Sequence, residues 1–272
     1  VATMVRALSA AAPGPITGVG IGVAGQVDSE RGVVRHAPNL RWHEYPLGER
    51  IAEASGQRVA VLNDVQAATF GEWSYGAARG FTEAVCVFIG TGVGGGIITG
   101  GRLLRGTSGA AGELGHTVVS LHGPVCRCGG RGCIEAFAGG WAIARRAFEA
   151  VSARPVAGRA LMEAAGGKAN AITATALATA AEAGDPLART LVAEIEDALV
   201  AGLGSITNAL NPAVLILGGG VIEALPQLIE AARQRLILEA LPVSAAAVRV
   251  ECAMLGGDAG AVGAAAWARA PT

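Results

Sequence analysis

Apolar positions recur along this chain in two rhythms. After Asp185-Pro186, the residues Leu187, Leu191, Ile195, Leu199, Leu203, Ile206 and Leu210 fall three or four apart, the spacing of one buried helical face. Asp185 can cap the first turn, Pro186 suits the first helical position, and Asn211-Pro212 stops the run. The spacing therefore predicts a helix over 186–210. The second rhythm is a series of short apolar runs. Residues 16–23, 59–62, 84–89, 214–217 and 248–254 each read as a buried strand, with 32–35 as a further short one. Residues 24–28 turn the first run back. Weaker helical spacing predicts helices over 65–75 with Gly76 as stop, 141–150, 171–183 with Gly184 as stop, and 225–236. A final helix opens at Gly256-Gly257-Asp258-Ala259-Gly260 and runs to Trp267, and the chain starts in what reads as mid-helix at Met4, Val5 and Leu8. Strands alternating with helices predict α/β layers.

A length of 272 residues suffices for one large domain or two moderate ones, and with 51% hydrophobic and 16% charged residues a substantial core is available. Net charge is −1 with no basic block, which argues against a nucleic-acid face within the chain. Glycine or charge interrupts every apolar run before it could span a membrane, and no signal peptide is visible, so a cytoplasmic protein is expected. Cysteines clustered in such a chain point to metal rather than to disulfides. Cys86 and Cys252 lie in apolar strand-like runs and read as buried thiols without chemical role.

Three of the five cysteines, Cys126, Cys128 and Cys133, fall within one short stretch, and His116 lies ten positions upstream of the first. Cys126-x-Cys128 puts two thiolates on one tight turn, and Gly129, Gly130 and Gly132 let the backbone return so that Cys133 reaches the same ion. With His116 this is a tetrahedral Cys₃His set for Zn²⁺, closed and hence structural. Glu113 and Glu135 flank the loop. They are either solvated charges or carboxylates pinned by a rigid scaffold, where they would accept hydrogen bonds from a polyol. A metal on one nitrogen of His116 leaves the other free to donate. His36, His43 and His122 have no partner pattern and read as loop or surface residues.

Asn63-Asp64 sits where a buried strand meets a helix. Asp64 is either a helix cap or a general base at a strand's carboxyl end. Residues 90–96 read as a glycine turn between the strand at 84–89 and a further strand at Ile97-Ile98-Thr99; they do not open a helix and so do not make a dinucleotide fingerprint. Either this is a tight hairpin alone or its backbone N–H groups and the Thr91 hydroxyl bind a phosphate. Gly218-Gly219-Gly220, between a strand and a helix, is either a close-packed turn or a surface for a nucleotide.

Glu113-Leu114-Gly115-His116 with Cys126-x-Cys128-Gly129-x-x-Gly132-Cys133-x-Glu135 closely resembles the signature of the ROK family of repressors, open reading frames and sugar kinases. Four further stretches match: Gly22-Val23-Ala24-Gly25-Gln26-Val27-Asp28, with Ala24 in place of the usual proline; Ala37-Pro38-Asn39-Leu40-x-Trp42; Asn63-Asp64; and Gly90-Thr91-Gly92-x-Gly94-Gly95-Gly96. The resemblance implies the actin-like, ribonuclease-H-like ATPase fold, two α/β domains around a cleft. Residues 1–79 plus 257–272 would be the remnant of the small N-terminal domain, and 80–256 the large domain with the zinc loop. It implies ATP-dependent phosphorylation of a hexose, most simply glucose to glucose 6-phosphate, with Asp64 as the base. Gly25, Asn39, Asn63, Glu113, His116 and Glu135 would hold the sugar. Gly90, Thr91, Gly92, Gly94 and Gly95 would cradle phosphates, Gly218, Gly219 and Gly220 would line the adenosine site, and Mg²⁺ would accompany ATP. A homodimer is implied as well.

The family's first phosphate loop, Asp-x-Gly-Gly-Thr, is not in the chain, and the resemblance puts it upstream of Val1, leaving the N-terminal domain incomplete. Two alternatives remain open at this point. One is the sugar-sensing part of a ROK repressor; the N-terminal helix-turn-helix that repressors carry is not present in these residues. The other is a sugar-binding homologue without catalysis.

Overall fold

The computed structural model describes residues 1–270. In chain order the elements are α1 (Ala2–Ala11), β1 (Val19–Val23), β2 (Gln26–Asp28), β3 (Val33–Ala37), β4 (Trp42–Tyr45), α2 (Leu47–Ser55), β5 (Val59–Asn63), α3 (Asp64–Tyr75), β6 (Ala84–Ile89), β7 (Val93–Thr99) and β8 (Arg102–Leu103). Then follow α4 (Ile134–Ala138), α5 (Gly140–Ala153), α6 (Arg159–Ala164), α7 (Ala174–Glu182), α8 (Pro186–Leu210), β9 (Val214–Gly218), α9 (Gly220–Ala224), α10 (Gln227–Glu239), α11 (Pro242–Ala247), β10 (Arg249–Cys252) and α12 (Ala259–Arg269). They gather into two compact units. Unit one holds Val1–Val85, Gly95–Gly112 and the segment from Ala253 on; unit two holds Cys86–Gly94 and Glu113–Cys252. Residues 95–112 belong to unit one, where buried Gln66 on α3 donates to Gly109 O and Ala111 O, both at 3.0 Å.

In unit one, β1 and β5 pair in parallel with Val23 opposite Asn63, so both strands end at the same level. β2, β3 and β4 form an antiparallel meander. Val23, Val27, Val34, Ala37, Leu47 and Val61 are its shared core. Helices α3 and α12 approach backbone to backbone, which only small residues permit. A methyl added at Gly263 would collide with Ala67 O, and one at Gly20 of β1 with Ala264 O. Gly263→Ala is therefore expected to destabilise the protein by about 1–3 kcal/mol through overpacking. Urea denaturation checks this; an unchanged midpoint would contradict the close approach. Buried Glu72 ends this layer, its carboxylate accepting from Leu255 N and Ala77 N, both at 2.8 Å.

The five-stranded sheet runs β10-β9-β6-β7-β8, with β10 parallel to β9 and β8 antiparallel to β7. The division between units falls inside β6 and β7. In unit two β9 is wholly buried, and α8 buries the stripe that its sequence predicts, including Leu187, Leu191, Ile195, Leu199, Leu203 and Ile206. Asp185 caps α8 as expected, its Oδ1 accepting from Ala188 N at 2.7 Å. Gly202 of α8 lies so close to Ile134 that a methyl there would strike the Ile134 side chain. Helix α8 thus supports α4, the short helix that follows Cys133.

Several sequence expectations shift. Strand β7 begins at Val93, so Gly94, Gly95 and Gly96 lie inside a strand and the turn is confined to 90–92. Glycine is needed at position 96 because Thr69 of α3 packs against it, leaving no room for a side chain. The helix expected over 171–183 starts at Ala174, where Thr173 caps it, and the one expected over 225–236 starts after Pro226 and runs to Glu239. Cys86 is buried, but Cys252 is exposed: β10 is an edge strand that buries only Val250. Among the described residues, no helix is long and apolar enough to cross a membrane.

Candidate active site

In unit one the site is built on the carboxyl ends of β1 and β5, where open α/β sheets present their ligand-binding residues. Asn63 is the N-cap of α3: its Oδ1 accepts from Val65 N at 2.9 Å and Gln66 N at 3.0 Å. Its Nδ2 donates to Gly25 O at 3.1 Å and to Asp64 Oδ1 at 2.9 Å. Capping, which the sequence left between two roles for Asp64, therefore falls to Asn63. Asp64 is exposed in the first turn, its Oδ1 fixed by Asn63 and by Val65 N at 3.0 Å. Oδ2 makes no hydrogen bond among the described residues. Gly25 has φ of +152°, and a side chain there would meet His36 O at 2.7 Å. Asn39 lies in the 3-10 turn Pro38–Leu40, exposed, two residues beyond the Ala37 that packs on Gly25.

In unit two the metal-type cluster forms as its spacing implies. His116 ends the 3-10 turn Leu114–His116, which Glu113 precedes with an exposed side chain. Isolated β-bridges pair Val118 with Cys133 and Val125 with Arg131, folding the cysteine loop onto itself. Gly129 and Gly132 adopt positive φ, 92° and 69°. At Gly132 the Ser120 carbonyl leaves no room for a side chain. One donor atom from each of His116, Cys126, Cys128 and Cys133 lies within 4.8 Å of all the others. His116 Nδ1 is 3.7 Å from Cys126 Sγ, and Cys128 Sγ is 3.7 Å from Cys133 Sγ. Zinc–sulfur bonds of about 2.3 Å in a tetrahedron put sulfurs about 3.8 Å apart, so this donor set fits Zn²⁺. Burial, then the neighbouring thiols of Cys128 and Cys126, push the Cys133 thiol up to about 12. Burial also raises Cys126, whereas the Gly130 amide holds Cys128 below the ordinary thiol value. Three thiols crowded beside a histidine, two of them made reluctant to ionise by burial, call for a cation.

Glu135 stands in the first turn of α4, between the cysteine loop and the glycine turn. Its Oε2 accepts from Val93 N at 3.0 Å, and Oε1 lies 3.8 Å from Cys126 Sγ. A methyl at Gly92 would come within 2.5 Å of Oε2. The turn itself is fastened to the start of α5: Gly140 N donates to Gly90 O at 2.9 Å and Trp141 N to Thr91 O at 3.0 Å. Gly115, next to His116, backs directly onto Val93 O. Gly219 has φ of +94° and sits against Ile89 at the end of β6, beside this turn. Within unit two, Glu135, His116, the 90–93 turn and Gly219 thus share one neighbourhood. Within unit one, Gly25, Asn63 and Asp64 do, while Gly95 and Gly96 lie in β7. Trp141 escaped the sequence reading because it looks like the apolar start of a helix, and Gln66 because a buried glutamine leaves no signal in spacing.

Two α/β units built on parallel strands, with glycine turns at their ends, define the actin-like ATPase fold. Solved structures agree. A ROK family glucokinase from Streptomyces griseus, in complex with glucose and AMPPNP, superposes with a TM-score of 0.81 at 36% identity, covering 98% of this chain and 87% of that one. The sequence model of the ROK family matches residues 1–270, and the chain belongs to the ROK family. A glucokinase of Thermotoga maritima is 37% identical over 248 residues, which span 91% of this chain and 77% of the relative. The xylose repressor of Caldicellulosiruptor bescii is 32% identical over 210 residues, 76% of this chain and 51% of the repressor.

Proposed function

We propose that this chain is an ATP-dependent hexokinase acting on glucose. The observation that carries the reading is the division of labour at the start of α3: Asn63 caps the helix, leaving Asp64 exposed with Oδ2 uncommitted. In this reading Asp64 takes the proton of the glucose 6-hydroxyl. The freed oxygen attacks the γ-phosphorus of ATP, and the bond to the departing ADP oxygen breaks. Gly25, Asn39, Asn63, Glu113, His116 and Glu135 hold the sugar hydroxyls. With Nδ1 of His116 turned to the cysteines, Nε2 is the nitrogen left for a sugar oxygen. The turn from Gly90 to Gly92 with Gly94 and Gly95 cradles the phosphates, and Gly218, Gly219 and Gly220 line the adenosine. His116, Cys126, Cys128 and Cys133 would hold a structural Zn²⁺, and Mg²⁺ brought with ATP would supply charge neutralisation of the triphosphate.

Similarity to glucokinases over nine-tenths of the chain supports glucose as substrate. Similarity to the xylose repressor supports a second reading, a sugar sensor without turnover. A coupled assay with ATP and glucose, mannose, fructose, N-acetylmannosamine or N-acetylglucosamine separates the two. The kinase reading expects turnover with the highest kcat/KM for glucose. Sugar binding with no turnover on any of the five would establish the sensor instead.

A further inference from the structure

We infer that Trp141 is a positioning residue for Glu135, acting through its indole N–H; the inference rests on the hexokinase reading. Trp141 Nε1 donates to Glu135 Oε1 at 3.2 Å, while Val93 N donates to Oε2 at 3.0 Å. An ionised carboxylate offers about four acceptor sites. Two donors on opposite oxygens fix its plane and leave the remaining lone pairs in set directions. Indole has a donor and no acceptor, so it holds Glu135 as an acceptor of sugar hydroxyls.

The indole is itself held by the metal loop. The Arg127 guanidinium carbon lies 4.6 Å from the ring centre and that of Arg145 lies 5.0 Å away. Such cations are attracted to the ring's electron-rich face. Arg127 stands between Cys126 and Cys128, and Arg145 donates to Val125 O at 3.2 Å. On its other side, the main-chain N of Trp141 is tied to Thr91 O at 3.0 Å. One half-buried tryptophan therefore connects the cysteine loop, the glycine turn and Glu135, and its side chain and backbone do different jobs.

That separation makes the role testable. Trp141→Phe keeps the ring and the backbone bond to Thr91 but removes the indole donor. It is expected to raise the KM for glucose and the calorimetric Kd of glucose about tenfold, the worth of one hydrogen bond to a charged group, with the KM for ATP unchanged. In a Glu135→Ala background the same change should add less than about twofold, because the partner is gone. Equal penalties in both backgrounds, or a parallel rise in the KM for ATP, would reduce Trp141 to packing and overturn the inference. In ¹⁵N-labelled protein that retains Trp141, its indole N–H resonance should shift on Glu135→Ala; an unmoved resonance overturns the inference even if Trp141→Phe fails to fold. Failure of the wild-type protein to bind glucose would remove the hexokinase reading, a result distinct from wild-type binding that Trp141→Phe leaves intact.

Discussion

Asp64→Asn is expected to lower kcat for glucose phosphorylation by about 10²–10⁴-fold, the range that a positioned general base contributes. The substitution removes the basic oxygen and little else. The N-cap belongs to Asn63, so α3 keeps both of its side-chain cap bonds. The oxygen of the new amide can still accept from Val65 N and from Asn63 Nδ2, as Oδ1 does now. What is lost structurally is one negative charge at a helix N-terminus, about 0.3–1 kcal/mol. Glucose binding by calorimetry should stay within a few-fold of wild type. A kcat within tenfold of wild type would remove Asp64 from the chemistry.

Stripping the metal that His116, Cys126, Cys128 and Cys133 are proposed to hold is expected to have the second largest effect, on stability and sugar affinity together. Zinc bound by such a set in isolated peptides contributes about 10–16 kcal/mol of binding free energy. Here part of that holds loop to helix: Cys133 is the residue before α4, it bridges to Val118, and Glu135 follows two positions later. Without the ion, the three thiols and His116 lose their common partner, and Glu135 loses the fixed loop against which it stands. A fall in Tm on the order of 10 °C is expected for the chelated protein, together with weakened glucose binding. Metal loading has a definite pH dependence. Each thiol must give up its proton, and Cys133 at about 12 is the most reluctant, so affinity for the ion weakens as pH falls and strengthens as it rises. A folded, metal-free protein with unchanged glucose affinity would show that the cluster does not hold the sugar site.

Long, regular features of this fold were legible from spacing alone. The helix after Asp185-Pro186 has seven apolar residues in step, a cap and a stop, and every local preference agrees, so α8 spans 186–210 as its pattern predicts. Strands β1, β5, β6 and β9 were visible as apolar runs; β6 is largely and β9 completely buried, whereas β1 buries only Val23 and β5 only Val61 and Leu62. What spacing missed was amphipathic or set by distant contacts. Strand β4, with Trp42 and Tyr45 stacked 4.4 Å apart over the meander core, alternates too weakly to stand out. Gly94, Gly95 and Gly96 looked like a loop because glycine disfavours strands; they lie in β7, and at Gly96 the Thr69 side chain of α3 leaves room for no other residue.

The chemistry-bearing positions were legible to the extent that each carries a rare residue type at a fixed interval. Cys126, Cys128, Cys133 and His116 advertise themselves, and their donor atoms gather. Asp64 was ambiguous because Asp serves caps and bases alike. Only the observation that Asn63 Oδ1 accepts from both Val65 N and Gln66 N, with Asp64 sharing just the first through Oδ1, separates the roles. Trp141 was invisible because its hydrogen bond to Glu135 joins two helices across the glycine pair at 139 and 140, a relation that neither helical nor strand periodicity encodes.

The most direct measurement is transfer of label from [γ-³²P]ATP to glucose by the zinc-loaded wild-type protein, run beside Asp64→Asn. Labelled glucose 6-phosphate should form with the wild-type protein and fall by at least about a hundredfold with the variant, while both bind glucose alike. Glucose binding without any label transfer by the wild-type protein, or equal transfer by the variant, would contradict it.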